Sequence, residues 1–113
     1  MFERGKIILV PFPFTDLSSQ KVRPAVIVSV ANPYAKDVIV AFVSSVVTKA
    51  SVVQVKIAET MPAFDHTGLK KTSVVRCDKL ATLDRKIVLG ELGAMPLPLL
   101  RKIDAGLRRV LGL

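Results

Sequence analysis

The feature that most restricts this chain's fold is a single change of hydrophobic period close to its C-terminus. Before that change the apolar residues come in short β-branched runs, at 7–10, 24–30, 38–43, 52–57, 73–77 and 81–83. Runs of this length and composition predict strands. The run at 24–30, with Ala25-Val26-Ile27-Val28, is nearly continuous and predicts a strand buried on both faces. At 52–57, Val53, Val55 and Ile57 alternate with Gln54 and Lys56, the pattern of a half-buried strand. After Pro98 the period lengthens. Leu99, Leu100, Ile103, Leu107, Val110 and Leu111 fall on one helical face, with Arg101, Lys102, Arg108 and Arg109 on the other. Strands followed by one amphipathic helix predict a mainly β fold, a strongly bent antiparallel sheet or half-open barrel whose open core the helix covers. With 113 residues, 50% of them hydrophobic, residues 1–113 suit one domain with one packed core.

The breaks between runs are marked by turn chemistry. Pro11 and Pro13 lack backbone donors, so the tract 11–14 is expected at a sheet edge or leaving the sheet. Residues 15–21 form a polar loop, Asn32-Pro33 a turn, and 58–71, with Pro62 and Gly68, a long loop.

Charge narrows the partners. Seventeen Lys and Arg against nine Asp and Glu give a net charge of +8, which suits a polyanion such as nucleic acid, an acidic protein or an anionic surface. Cys77 is the only cysteine, so no internal disulfide forms. No apolar run approaches membrane-spanning length and no signal peptide is evident, so the cytoplasm is the expected compartment. One His and one Cys, with no ligand spacing, point to no metal and no cofactor. His66, beside Asp65 in the long loop, reads as a solvated surface residue.

What remains for chemistry is cations, hydroxyls and a carboxylate at strand ends. Arg76 and Asp78 are two apart, so an extended strand points both to one face while Val75 and Cys77 point into the core. Cys77 thus reads as a buried small residue, not a nucleophile. Taken alone, Arg76 and Asp78 could equally be a plain surface ion pair. Arg23 precedes Pro24 where a loop meets the buried run, and Ser44 and Ser45 end the third run with adjacent hydroxyls. Around a phosphate such groups would combine usefully. RNA brings its own nucleophile, the 2′-hydroxyl, so cleavage needs a proton acceptor, an acid for the leaving oxygen and positive charge around phosphorus.

Three tracts, 4–10 beginning Arg4-Gly5-Lys6, 21–28 beginning Lys21-Val22-Arg23-Pro24 and 73–84 containing Arg76-Cys77-Asp78, resemble the MazF/PemK/Kid toxins of bacterial type II toxin–antitoxin pairs. The resemblance implies an SH3-like half-barrel that forms a homodimer. It implies metal-independent, sequence-specific cleavage of single-stranded mRNA to a 2′,3′-cyclic phosphate, and inhibition by a cognate antitoxin that covers the RNA groove. By the same resemblance Arg76, Asp78, Arg23 and Ser44 are the catalytic residues. Asp78 is expected as general base, Arg76 as acid or charge stabiliser, Arg23 as phosphate clamp and Ser44 as oxyanion donor. Ser45, Gln20, Lys21, Lys79 and Phe14 are the expected RNA contacts. The loop at 14–21 departs from the family, lacking the Glu-Gln and His that many members carry before Arg-Pro; Asp16 and Gln20 are the substitutes it offers. Two alternatives stand beside the nuclease: a CcdB-type toxin that binds DNA gyrase without chemistry, and an inactive RNA-binding barrel.

Overall fold

A computed structural model describes residues 2–12, 21–47 and 53–113. Among these residues six strands form one sheet: β1 (Lys6–Phe12), β2 (Lys21–Ile27), β3 (Asp37–Ser44), β4 (Gln54–Ile57), β5 (Ser73–Asp84) and β6 (Gly90–Ala94). They lie in the order β4-β5-β3-β2-β1-β6, and every neighbouring pair is antiparallel. One helix follows, α1 (Leu97–Leu111). The mainly β fold with a C-terminal helix is as the period change predicts. Pro98 falls in the first turn of α1, where its missing N–H costs nothing. Gly112, at φ 71°, ends the helix by donating its N–H to the Arg108 carbonyl.

Alternation sorts the apolar residues onto two faces. Ile7, Val26, Ala41, Val43, Val75 and Cys77 pack beneath α1 against Leu99 and Ile103. Their chain neighbours Ile8, Ala25, Ile27, Val40 and, further on, Val10 and Val38 build a second cluster on the face that α1 leaves uncovered. Ala25, Val26 and Ile27 are all fully buried, which is why the second run reads as continuously apolar. The helix is tied to the sheet by more than packing. Arg4 donates from Nε to the Val28 carbonyl at 2.8 Å and pairs with Asp104 on α1.

Several boundaries differ from the sequence reading. The second strand starts earlier, at Lys21, and stops at Ile27, because Val28 and Ser29 both turn their N–H groups to the Ile39 carbonyl. The fourth is shorter than expected, and Val52 lies outside the described residues. Pro11 stays inside β1, opposite Val22. It is tolerated there because β6 pairs with β1 only as far as Leu9, so among the described residues no strand partner faces the proline on that side. The runs at 73–77 and 81–83 are not two strands but one, β5, interrupted by a bulge. β6 was missed: Gly90-Glu91-Leu92-Gly93-Ala94 carries little β propensity of its own and is recruited by pairing with β1.

The long loop at 58–71 contains a 3-10 helix, Phe64–Thr67, with Thr67 fully buried. Two glycines let it press backbone to backbone on β6. A Cβ at Gly93 would lie 2.2 Å from the His66 carbonyl oxygen, and one at Gly68 would lie 2.2 Å from that of Leu92. No side chain fits at either position.

Candidate active site

The site grows out of the irregularity in β5. Leu80 stands opposite Ala41 of β3 and Arg76 opposite the next residue, Phe42, so residues 77–79 face no residue of β3. On the other side Arg76 is opposite Gln54 of β4, and the Cys77 N–H donates to the Val53 carbonyl at 2.9 Å. A bulge of this kind re-aims side chains. Asp78 and Lys79 are both exposed as a result, which strict alternation forbids. Cys77 stays fully buried under α1, its thiol pushed up by burial and by the Asp78 charge, and behaves as the small core residue its position predicts.

Arg76 and Asp78 do share a face, and they form a two-pronged pair. Arg76 Nε donates to Asp78 Oδ1 at 2.9 Å and Nη2 to Oδ2 at 2.8 Å. Those hydrogen bonds hold the Asp78 carboxyl below the usual aspartate range and push the Arg76 guanidinium up. The side chains remain about a third exposed, at 29% and 37%, so water screens the pair and its contribution to stability is small. Its effect is geometric: it fixes the plane of the guanidinium.

Arg23 arrives from β2. It sits two residues before Ala25, whose side chain belongs to the second cluster, so Arg23 is directed to that same face. It lies inside the strand, opposite Val10, and not at a loop junction as the sequence suggested. Phe42 packs against the same cluster, and Ser44, two further on, ends β3. Arg23, Phe42, Ser44, Ser45, Arg76 and Lys79, with Val43 and Val46, line one cavity of about 180 Å³. Among the described residues three cations and no carboxylate line it, and Asp78 is held to Arg76 by hydrogen bonds. The Ser44 Oγ accepts from the Val46 N–H at 3.1 Å, which leaves its own hydroxyl hydrogen free to donate into the cavity.

Of the residues expected from sequence, Arg23, Ser44, Ser45, Arg76 and Lys79 meet at this cavity, and Asp78 joins it through Arg76. Lys21 is exposed at the start of β2, two residues from Arg23, without lining the cavity. Gln20 and Phe14 lie outside the described residues. His66 is exposed on the 3-10 helix and does not contribute. Phe42 was missed as a wall of the site. Counting two back from Ser44 would have found it. Among the described residues no three His, Cys, Asp or Glu side chains gather into a metal-binding group, and no helix is long and apolar enough to cross a membrane.

Known proteins with this sequence pattern and shape are similar along nearly the whole chain. A family model described as PemK-like, MazF-like toxin of type II toxin–antitoxin system matches residues 3–111. The endoribonuclease MazF6 of Mycobacterium tuberculosis is 27% identical over 93 residues, covering 82% of this chain and 81% of the relative. The endoribonuclease MazF2 of Mycobacterium bovis matches to the same extent, 27% over 93 residues. Among solved structures, the MazE–MazF complex of Deinococcus radiodurans is 26% identical with a TM-score of 0.74, covering 98% of this chain and 96% of that one. A mycobacterial endoribonuclease in complex with its cognate antitoxin superposes with a TM-score of 0.78 at 20% identity, over 98% of this chain and 95% of that one.

Proposed function

This chain belongs to the PemK-like, MazF-like toxins of type II toxin–antitoxin systems, and from that premise we propose that it is a metal-independent, sequence-specific endoribonuclease held in check by an antitoxin. Relatives named endoribonuclease and solved toxin–antitoxin complexes of the same fold support the reading. The observation that carries it is the cavity on the sheet face away from α1, where Arg23, Arg76 and Lys79 converge with the Ser44 hydroxyl and, among the described residues, no carboxylate lines the walls. That is an environment for a phosphodiester.

In the reaction proposed, the RNA 2′-oxygen attacks phosphorus, the bond to the 5′-oxygen breaks, and a 2′,3′-cyclic phosphate remains. Arg23 and Arg76 neutralise the two non-bridging oxygens, and Ser44 donates to one of them. Asp78 needs a revised role. With both oxygens engaged by Arg76, it first serves to orient the guanidinium. It becomes a proton acceptor for the 2′-hydroxyl once phosphate draws Arg76 away. Arg76 holds its proton too tightly to be the acid, so the leaving oxygen takes its proton from water. The gyrase-binding alternative draws no support from the relatives, whose names describe RNA cleavage. We place the activity in the cytoplasm, in a homodimer.

The test is incubation of the purified protein with a long single-stranded RNA in EDTA. Cleavage is expected, with 2′,3′-cyclic phosphate ends, and a single 2′-deoxy substitution at the cut site is expected to abolish it. Cleavage that persists through the deoxy position contradicts the mechanism.

A further inference from the structure

The cations around the cavity exceed what one phosphate requires, and strand register sets them in a line. Ala25 of β2, Phe42 of β3 and Arg76 of β5 stand opposite one another and make one row across the sheet. β2 and β5 are both antiparallel to β3, so the two run in the same direction. Arg23 therefore lies on the N-terminal side of that row, with Lys21 one two-residue step further out, about 7 Å along the strand. Alternation puts Lys21 and Arg23 on the face of Ala25, away from α1. Lys79 lies on the other side of the row, where the bulge in β5 brings it to the cavity. Along the strand direction the order is Lys21, Arg23, Arg76, Lys79, a diagonal from β2 to β5. Both lysines are exposed, and neither has an ion-pair partner among the described residues. Asp78, next to Lys79 in the chain, has both carboxylate oxygens engaged by Arg76. In the reaction above Arg23 and Arg76 already neutralise the non-bridging oxygens of the scissile phosphate, so the lysines are surplus to it.

We propose that the two lysines hold the phosphates on either side of the scissile one, Lys79 the upstream phosphate and Lys21 the downstream phosphate, so that three consecutive phosphates of the RNA lie diagonally across β5, β3 and β2. The inference rests on the nuclease reading and extends that site from one phosphate to three. Its polarity follows from the chemistry. The attacking 2′-hydroxyl belongs to the upstream nucleotide and gives its proton to Asp78, so that nucleotide lies over β5 with its own 5′-phosphate beside Lys79. The leaving 5′-oxygen departs on the opposite side of phosphorus and carries the downstream nucleotide towards β2, where Lys21 meets the next phosphate. A two-residue step along a strand is comparable to one sugar–phosphate repeat of an extended single strand, so Arg23 and Lys21 suit successive phosphates. The residue types divide in the same sense. Arginine grips the reacting phosphate with a fixed fork, and lysine supplies a point charge that tolerates a range of approach angles. Such flanking contacts carry no base information; they set the register in which the RNA is read.

The probe is a short single-stranded RNA made as a series, with one uncharged methylphosphonate walked along its backbone a position at a time. With the parent protein, kcat/KM is expected to fall at three consecutive phosphates, by about tenfold at each of the two flanking ones. Lys79→Ala should lose about tenfold on the unmodified RNA, lose nothing more from the upstream methylphosphonate, and keep the full penalty downstream. Lys21→Ala should show the mirror image. The salt dependence of each variant should flatten, its slope falling by about 0.7. Both side chains are exposed, so the melting temperatures should not move. A parent sensitive at the scissile phosphate alone overturns the proposal. So does a lysine variant that keeps the full penalty at its own phosphate, or a pair of variants whose penalties are exchanged. The same walk read as binding, by fluorescence anisotropy, separates this proposal from the nuclease reading. If the parent leaves every RNA intact while the paired losses appear in affinity, the nuclease reading falls and the phosphate contacts stand. If the RNA is cut and the pairing is absent from both readouts, the phosphate contacts fall and the nuclease reading stands.

Discussion

The two faces of this sheet are made from alternate residues of the same strands, yet they end differently. Under α1 the apolar pattern runs unbroken from Ile7 through Val26, Ala41 and Val75 to Cys77, and the helix seals it. On the other face the cluster of Ile8, Val10, Ala25 and Val40 gives way to Arg23, Ser44 and Arg76. One face therefore spends its residues on stability and the other on a charged cavity. The lesson is that period two lets a single strand serve both ends, so that Val75 and Cys77 anchor the very segment that presents Arg76.

Substitutions can break this division. Ile103→Ala empties a fully buried site under α1 and should cost about 3 kcal/mol by denaturant unfolding. Cleavage per folded molecule should stay near the parent's. Arg23→Ala should do the reverse, lowering single-turnover cleavage about a hundredfold with the unfolding curve unmoved. A stability loss in Arg23→Ala comparable to that of Ile103→Ala would erase the distinction. Gly93→Ala forces a Cβ onto the His66 carbonyl and should cost about 2 kcal/mol, again with little change in the chemistry of the folded fraction.

The smallest effect concerns Asp78. Its carboxyl sits below the ordinary aspartate range because Arg76 bonds it, so in the folded chain it stays ionised at pH values where a free aspartate has begun to protonate. Any stability it lends is present above the unfolded value and is lost as pH falls through the depressed one; exposure keeps that contribution small. Carbon-detected NMR titration should show the Asp78 midpoint rising to the ordinary range in Arg76→Ala. An unshifted midpoint would mean the pair does not hold in solution.

How much was legible beforehand follows the same division. The helix and the buried runs were readable because hydrophobic period survives in sequence. So was the sharing of a face by Arg76 and Asp78. The bulge was not, because nothing in Cys77-Asp78-Lys79 marks an insertion opposite β3; it is set by the register of a partner strand far along the chain. For the same reason the tract was read as two strands. β6 was illegible because its Gly90 and Gly93 argue against a strand, and Gly93 is required by the close approach of the 3-10 helix. Arg23, Ser44 and Arg76 come from β2, β3 and β5, so their meeting is a property of strand order, which only the family resemblance could anticipate.

The central claim is that the sheet face away from α1 does the chemistry through Arg76. Single-turnover cleavage of one single-stranded RNA in EDTA, by the parent and by Arg76→Ala side by side, tests it most directly. The account predicts a loss of at least about a hundredfold in the variant, with its melting temperature within about 3 °C of the parent's, since a surface pair contributes less than about 1 kcal/mol. Cleavage by a folded Arg76→Ala within threefold of the parent would contradict it.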